Sequence, residues 1–101
     1  MSFSRTGAAL SVGHTTTPFI TAWPFNAATG YGTKYSDPST LPAGNGRGVA
    51  FSVTNLAVSI AHTTTPFMTA WAWNDGSGFG AKYTDAATLP ASTGNSLAFS
   101  S

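Results

Sequence analysis

The chain has 101 residues, 7% charged and 42% hydrophobic, with 11 Gly, 6 Pro, no Cys and a formal net charge of +1. So small a charge excludes a binder that holds nucleic acid by neutralising phosphates, and without cysteine there is neither a disulfide framework nor a thiolate metal site. No apolar run approaches the ~18 residues that would span a bilayer, and Met1-Ser2-Phe3-Ser4-Arg5 lacks the apolar core of a signal peptide, so neither a membrane segment nor a leader is expected.

In chain order, apolar runs bounded by Gly, Pro, Asn and Thr clusters predict strands at residues 8–14, 18–25 and 31–36, then at 47–52, 56–62, 66–73 and 79–84. Pro18 and Pro66 each open a strand, where a missing N–H matters least. Asn74-Asp75-Gly76-Ser77-Gly78 supplies a hairpin turn. Residues 95–100 have the character of one more strand, with no unit following. No segment carries a 3.6-residue apolar period of helical length, so the expected class is all-β.

The elements are two copies of one unit. At an offset of 48, residues 4–52 and 52–100 are identical at 27 of 49 positions. His14-Thr15-Thr16-Thr17-Pro18-Phe19 recurs as His62-Thr63-Thr64-Thr65-Pro66-Phe67, and Thr21-Ala22-Trp23 as Thr69-Ala70-Trp71. Ala50-Phe51-Ser52 recurs as Ala98-Phe99-Ser100, and Phe3-Ser4 is a truncated third echo of that motif. The organisation expected is a first unit plus the innermost strand of the second over residues 1–52. Residues 53–101 then hold the rest of the second unit and an innermost strand donated to a neighbouring chain.

The strand faces suggest how the units meet. Phe67, Thr69, Trp71 and Trp73 point one way, Met68, Ala70 and Ala72 the other. Leu56, Val58 and Ile60 likewise oppose Ala57, Ser59 and Ala61. A strand with one wet face should alternate apolar with polar, and these do not. Each four-stranded sheet therefore needs cover on both faces, one bulky and one small. A ring of such sheets, with the aromatic face of one on the Ala-rich face of the next, is a β-propeller.

Val49-Ala50-Phe51-Ser52, a turn, and Leu56-Ala57-Val58 resemble the first two strands of a WD40-type blade. Phe67-Met68-Thr69-Ala70-Trp71 is similar to that family's third strand, which ends in Trp. Trp23 is followed by Pro24 and Trp71 by Ala72, so the family's Trp-Asp dipeptide is absent. The resemblance implies two four-stranded antiparallel propeller blades per chain.

Propellers have ~4–8 blades, so two must be completed by others. The expected solution is cyclic, head-to-tail homo-oligomerisation into a six- or eight-bladed ring, with a homotrimer preferred to a homotetramer. The polar surface, rich in hydroxyls from 16 Thr and 12 Ser, repels a second copy only weakly. Residues 1–4 are short for an innermost strand. Residues 95–100 of one chain are therefore expected to complete the first blade of the next, with Phe3 competing with Phe99 for one slot. The alternative is that residues 1–4 insert themselves.

Reactive chemistry is sparse. His14 and His62 have few carboxylates nearby and are expected to bond backbone or Thr hydroxyls at strand ends rather than a metal. No Ser sits in a nucleophile elbow, and Asp37 and Asp85 are repeat mates on loops, not an acid/base pair, so no catalytic residue, cofactor or metal is expected. Gly44-Asn45-Gly46-Arg47-Gly48 lacks Gly-Lys-Ser/Thr and a following helix, which leaves a connecting loop. Trp23 and Trp71 read as blade-to-blade core, and Lys34 and Lys82 as solubilising an outer edge. Phe25 with Asn26, and Trp73 with Asn74, are the candidate ligand-binding residues, because exposed aromatic rings stack on sugar faces. Two functions are expected from these features. The first is a non-enzymatic scaffold that assembles with itself, of the kind a viral or engineered repeat protein would use. The alternative is a multivalent lectin whose partner is a glycan held with avidity.

Overall fold

The computed structural model describes residues 1–100. Eight strands occur: β1 Ser2–Phe3, β2 Ala9–Gly13, β3 Ile20–Asn26, β4 Gly30–Tyr31, β5 Gly46–Phe51, β6 Ala57–His62, β7 Met68–Asn74 and β8 Gly78–Lys82. They form two four-stranded antiparallel sheets, ordered β1-β2-β3-β4 and β5-β6-β7-β8. No helix is present among the described residues.

The two sheets keep one register. Ser2↔Ser11 and Phe3↔Leu10 in the first correspond to Ala50↔Ser59 and Phe51↔Val58 in the second. Three local differences from the expected strands have physical causes. Pro18 and Pro66 lie in the turns ahead of β3 and β7 rather than opening them, because Phe19 and Phe67 N–H close those turns on the Thr16 and Thr64 carbonyls, each at 2.8 Å. Phe19 and Phe67 there hold φ of 70° and 69°, a left-handed backbone that interrupts any strand. β4 has only two residues where six were expected. The Pro24 carbonyl accepts from Gly32 N at 2.8 Å, so its nitrogen faces β4 too and has no hydrogen to give. Ala72 stands there in the second copy, and β8 runs to five residues. Finally, the inner edge of the first sheet holds Ser2–Phe3, so a two-residue β1 stands where β5 supplies six residues in the second.

The core lies between the sheets. The small face of the first sheet, Ala9, Ile20 and Ala22, shares one buried cluster with Val49, Phe51, Val58, Ile60, Trp71 and Trp73 of the second. Bulky side chains thus fill the space that small ones leave, which is how two faces interlock at interior density. Where β5 starts beside the first sheet the backbone runs close: a Cβ on Gly46 would lie 2.2 Å from the Phe19 carbonyl oxygen, so a side chain there would push β5 away from the turn ahead of β3.

Candidate functional site

A cluster of polar side chains sits at the joint between the sheets. Asp75, in the β7–β8 turn, is its hub. One carboxylate oxygen accepts from Trp73 Nε1 at 2.7 Å, and the other from Asn55 Nδ2 at 3.1 Å and from the Thr6 hydroxyl of the first sheet. The Tyr35 hydroxyl, also from the first sheet's half, donates to the Asp75 carbonyl. Burial alone would raise the Asp75 pKa; the hydrogen bonds from Thr6, Trp73 and Asn55 outweigh it and hold the carboxyl below its usual range. Asp75 is therefore a cross-sheet pin with its oxygens occupied, not a free acid.

Further contacts reinforce the joint. Trp71 Nε1 donates to the Thr40 carbonyl of the connecting segment at 3.0 Å. Tyr35 meets Trp73 edge-on with ring centres 5.0 Å apart, and Phe51 meets it at 5.1 Å. His62 is fully buried, with Nε2 2.8 Å from Thr69 Oγ1 and Nδ1 lacking a partner; its repeat mate His14 makes the same contact to Thr21 at 2.7 Å. Among the described residues no three metal-ligating side chains gather.

Burial lowers the His62 pKa, and the backbone at Thr64 and Met68 together with the Asp85 charge recover only part of the loss. The folded chain thus resists a proton that the unfolded chain takes up near pH 6.5. Stability from this group is complete above about pH 6.5 and falls as pH drops toward the lowered folded value, by at most about 1.4 kcal/mol per pH unit. Urea unfolding between pH 7 and 5 should show that decline, and His62→Gln should flatten it.

The four candidate ligand residues separate. Trp73 is 3% exposed, with its ring in the joint and its N–H on Asp75. Asn74 is exposed and spends its side-chain oxygen on Gly76 N at 2.7 Å. Phe25 is half-buried between Phe3 and Tyr31, each 5.3 Å away centre to centre, and Asn26 caps the turn through Ala28 N at 2.8 Å. Phe25 and Asn26 line a hollow of about 260 Å³ with Pro24, Thr29, Gly30 and Gly32. The ion pairs Lys34–Asp37 (2.6 Å) and Lys82–Asp85 (2.8 Å) are repeat mates at the exposed outer edge, where such pairs contribute little.

The joint has two open counterparts. On the outward face of the first sheet, Met1, Leu10, Val12, Trp23, Tyr31 and Gly32 line an apolar hollow of about 440 Å³. On the outward face of the second, Ser59, Met68, Ala70, Tyr83 and Asp85 are among those lining one of about 230 Å³. Comparison with family models, with curated proteins and with solved structures found no match.

Proposed function

We propose that the chain is a non-enzymatic structural unit, whose two sheets act as propeller blades and close with further copies into a ring, three chains giving six blades. The observation that carries this is the exposure of repeat mates. Tyr35, in the joint, is 9% exposed and Tyr83 is 49%; Phe51 is 6% and Phe3 46%. Tyr35 and Phe51, buried in the joint, each have an equivalent on an open face, and the two open faces carry the repeat mates of the joint's two halves. The arrangement that buries one pair of faces will bury the other, head to tail, when a second copy is added. The equivalent bonds are then available: Trp23 Nε1 to the Thr88 carbonyl of the neighbouring copy, as Trp71 bonds Thr40, and the Tyr83 hydroxyl to the neighbour's Ala27 carbonyl, as Tyr35 bonds Asp75. Native mass spectrometry at micromolar concentration is expected to give three times the 10.3 kDa chain mass. Four times would make the ring eight-bladed; a monomer would overturn the reading.

A glycan-binding reading has one observation in its favour, the hollow that Phe25 and Asn26 line together. Phe25 shares a strand face with Trp23, so the ring would cover this hollow and the two readings compete for one surface. Titrating common monosaccharides against tryptophan fluorescence separates them. A response from the unassembled chain that assembly abolishes favours a lectin, and silence favours the scaffold.

A further inference from the structure

The ring reading leaves open what completes the inner edge of the first sheet, and the path of residues 94–99 points to a donor. We infer that residues 94–99 of one copy form the innermost strand of the first sheet of the next, displacing Ser2–Phe3; this rests on the ring reading above.

The segment has already started along that route. Gly46 N donates to the His14 carbonyl at 2.9 Å where the chain leaves the first sheet to become β5, and Gly94 N donates to the His62 carbonyl at 3.1 Å where it leaves the second. Thr93 Oγ1 adds a bond to the Thr63 carbonyl at 3.3 Å. A Cβ on Gly48 would lie 2.7 Å from Ser96 Cα, so the segment runs against β5 much as β5 runs against β2, where Gly46 abuts Gly13. It has the sequence Gly-Asn-Ser-Leu-Ala-Phe against Gly-Arg-Gly-Val-Ala-Phe in β5, yet it pairs with no strand, and Phe99 is 39% exposed.

The receiving edge is correspondingly underfilled. β5 pairs along β6 from His62 to Val58, whereas Ser2–Phe3 reaches only Ser11 and Leu10. Val12 and Gly13 carry no inner partner, and Val12 borders the open apolar hollow. The β5 register carried over by 48 residues sets Leu97 opposite Val12, Ala98 opposite Ser11 and Phe99 opposite Leu10. Phe99 then takes the place of Phe3 against Phe25. Leu97 enters the position equivalent to Val49 of the second sheet, where Met1 now stands 74% exposed. The longer strand wins because it adds backbone pairs along an open edge and buries Leu97, gains that Ser2–Phe3 does not offer.

The chain has no cysteine, so an introduced pair is unambiguous. Residues directly opposite on antiparallel strands have Cα atoms about 4.5–5.5 Å apart, within disulfide reach. Val12→Cys/Leu97→Cys, oxidised, is expected to give covalently linked dimers and trimers on non-reducing gels that collapse with reductant. A native trimer that stays uncrosslinked overturns the strand exchange and leaves the ring intact; a monomeric chain overturns both. Single-alanine variants give a second readout if the cysteine variant misfolds. Phe99→Ala should raise the ring's dissociation constant at least tenfold and Phe3→Ala should leave it nearly unchanged. The reverse order would mean that Ser2–Phe3 keeps the slot.

Discussion

Trp73→Ala is expected to lower the unfolding free energy by about 3–5 kcal/mol, the range for removing a buried aromatic side chain. The ring is 3% exposed and sits edge-on against Tyr35, Phe51 and Phe79, with centres 5.0–5.2 Å apart. Its loss opens a cavity in the joint and leaves an Asp75 oxygen without its indole donor. The internal repeat supplies the compensated version. In the first copy, Phe25 and Ala27 stand where the second has Trp73 and Asp75, so the ring without an N–H occurs with the turn without a carboxylate. Trp73→Phe alone should therefore be costlier than Trp73→Phe in an Asp75→Ala background, with a coupling of about 0.5–3 kcal/mol for residues in one network. Urea unfolding followed by circular dichroism gives the four values of the cycle; additive effects would remove the pin from this account.

The repeat makes that swap readable, but the sequence alone does not say which member of a pair is buried. Trp73 and Phe25 look alike as candidate ligand residues because both end an apolar strand before an Asn. What separates them is which sheet meets a neighbour within the chain, a fact of three-dimensional order that two copies of one unit do not encode locally. The strand faces were legible for a different reason. Alternation has a period of two, and charge is absent from both faces of β6 and β7, so which side chains share a face follows from pattern alone; the structure buries one face of each sheet in the joint. β4 falls short because one proline on a ladder position outweighs the strand character of the residues around Tyr31. The Asp75 pin draws Thr6 and Tyr35 from the other sheet, across sequence separations of 69 and 40, beyond any local signal. Thr hydroxyls or backbone are the expected partners of the two histidines; that the hydroxyls belong to Thr21 and Thr69 follows from the antiparallel register, which sets those residues opposite Val12 and Ile60, two positions before His14 and His62 on the same strand face.

Charging one open face should convert the proposed ring into folded monomers. Ala70 lies on the outward small face of the second sheet, and its repeat mate Ala22 is fully buried in the joint. Ala70→Arg places an unpaired guanidinium where the neighbour's Trp23 would pack, at a cost of several kcal/mol and so about a thousandfold or more in association. Far-UV circular dichroism should be unchanged, whereas Ala22→Arg should unfold the chain. Trp23→Glu blocks the opposite face and should also give a monomer. Mixing the two variants distinguishes head-to-tail assembly from a symmetric dimer of like faces. The Ala70→Arg chain keeps a sound aromatic face and the Trp23→Glu chain a sound small face, so the mixture can form one good joint and no more. A one-to-one heterodimer, absent from either variant alone, is the expected species by native mass spectrometry. Homodimers of Ala70→Arg would instead show that aromatic faces pair with each other, and the ring would have no basis.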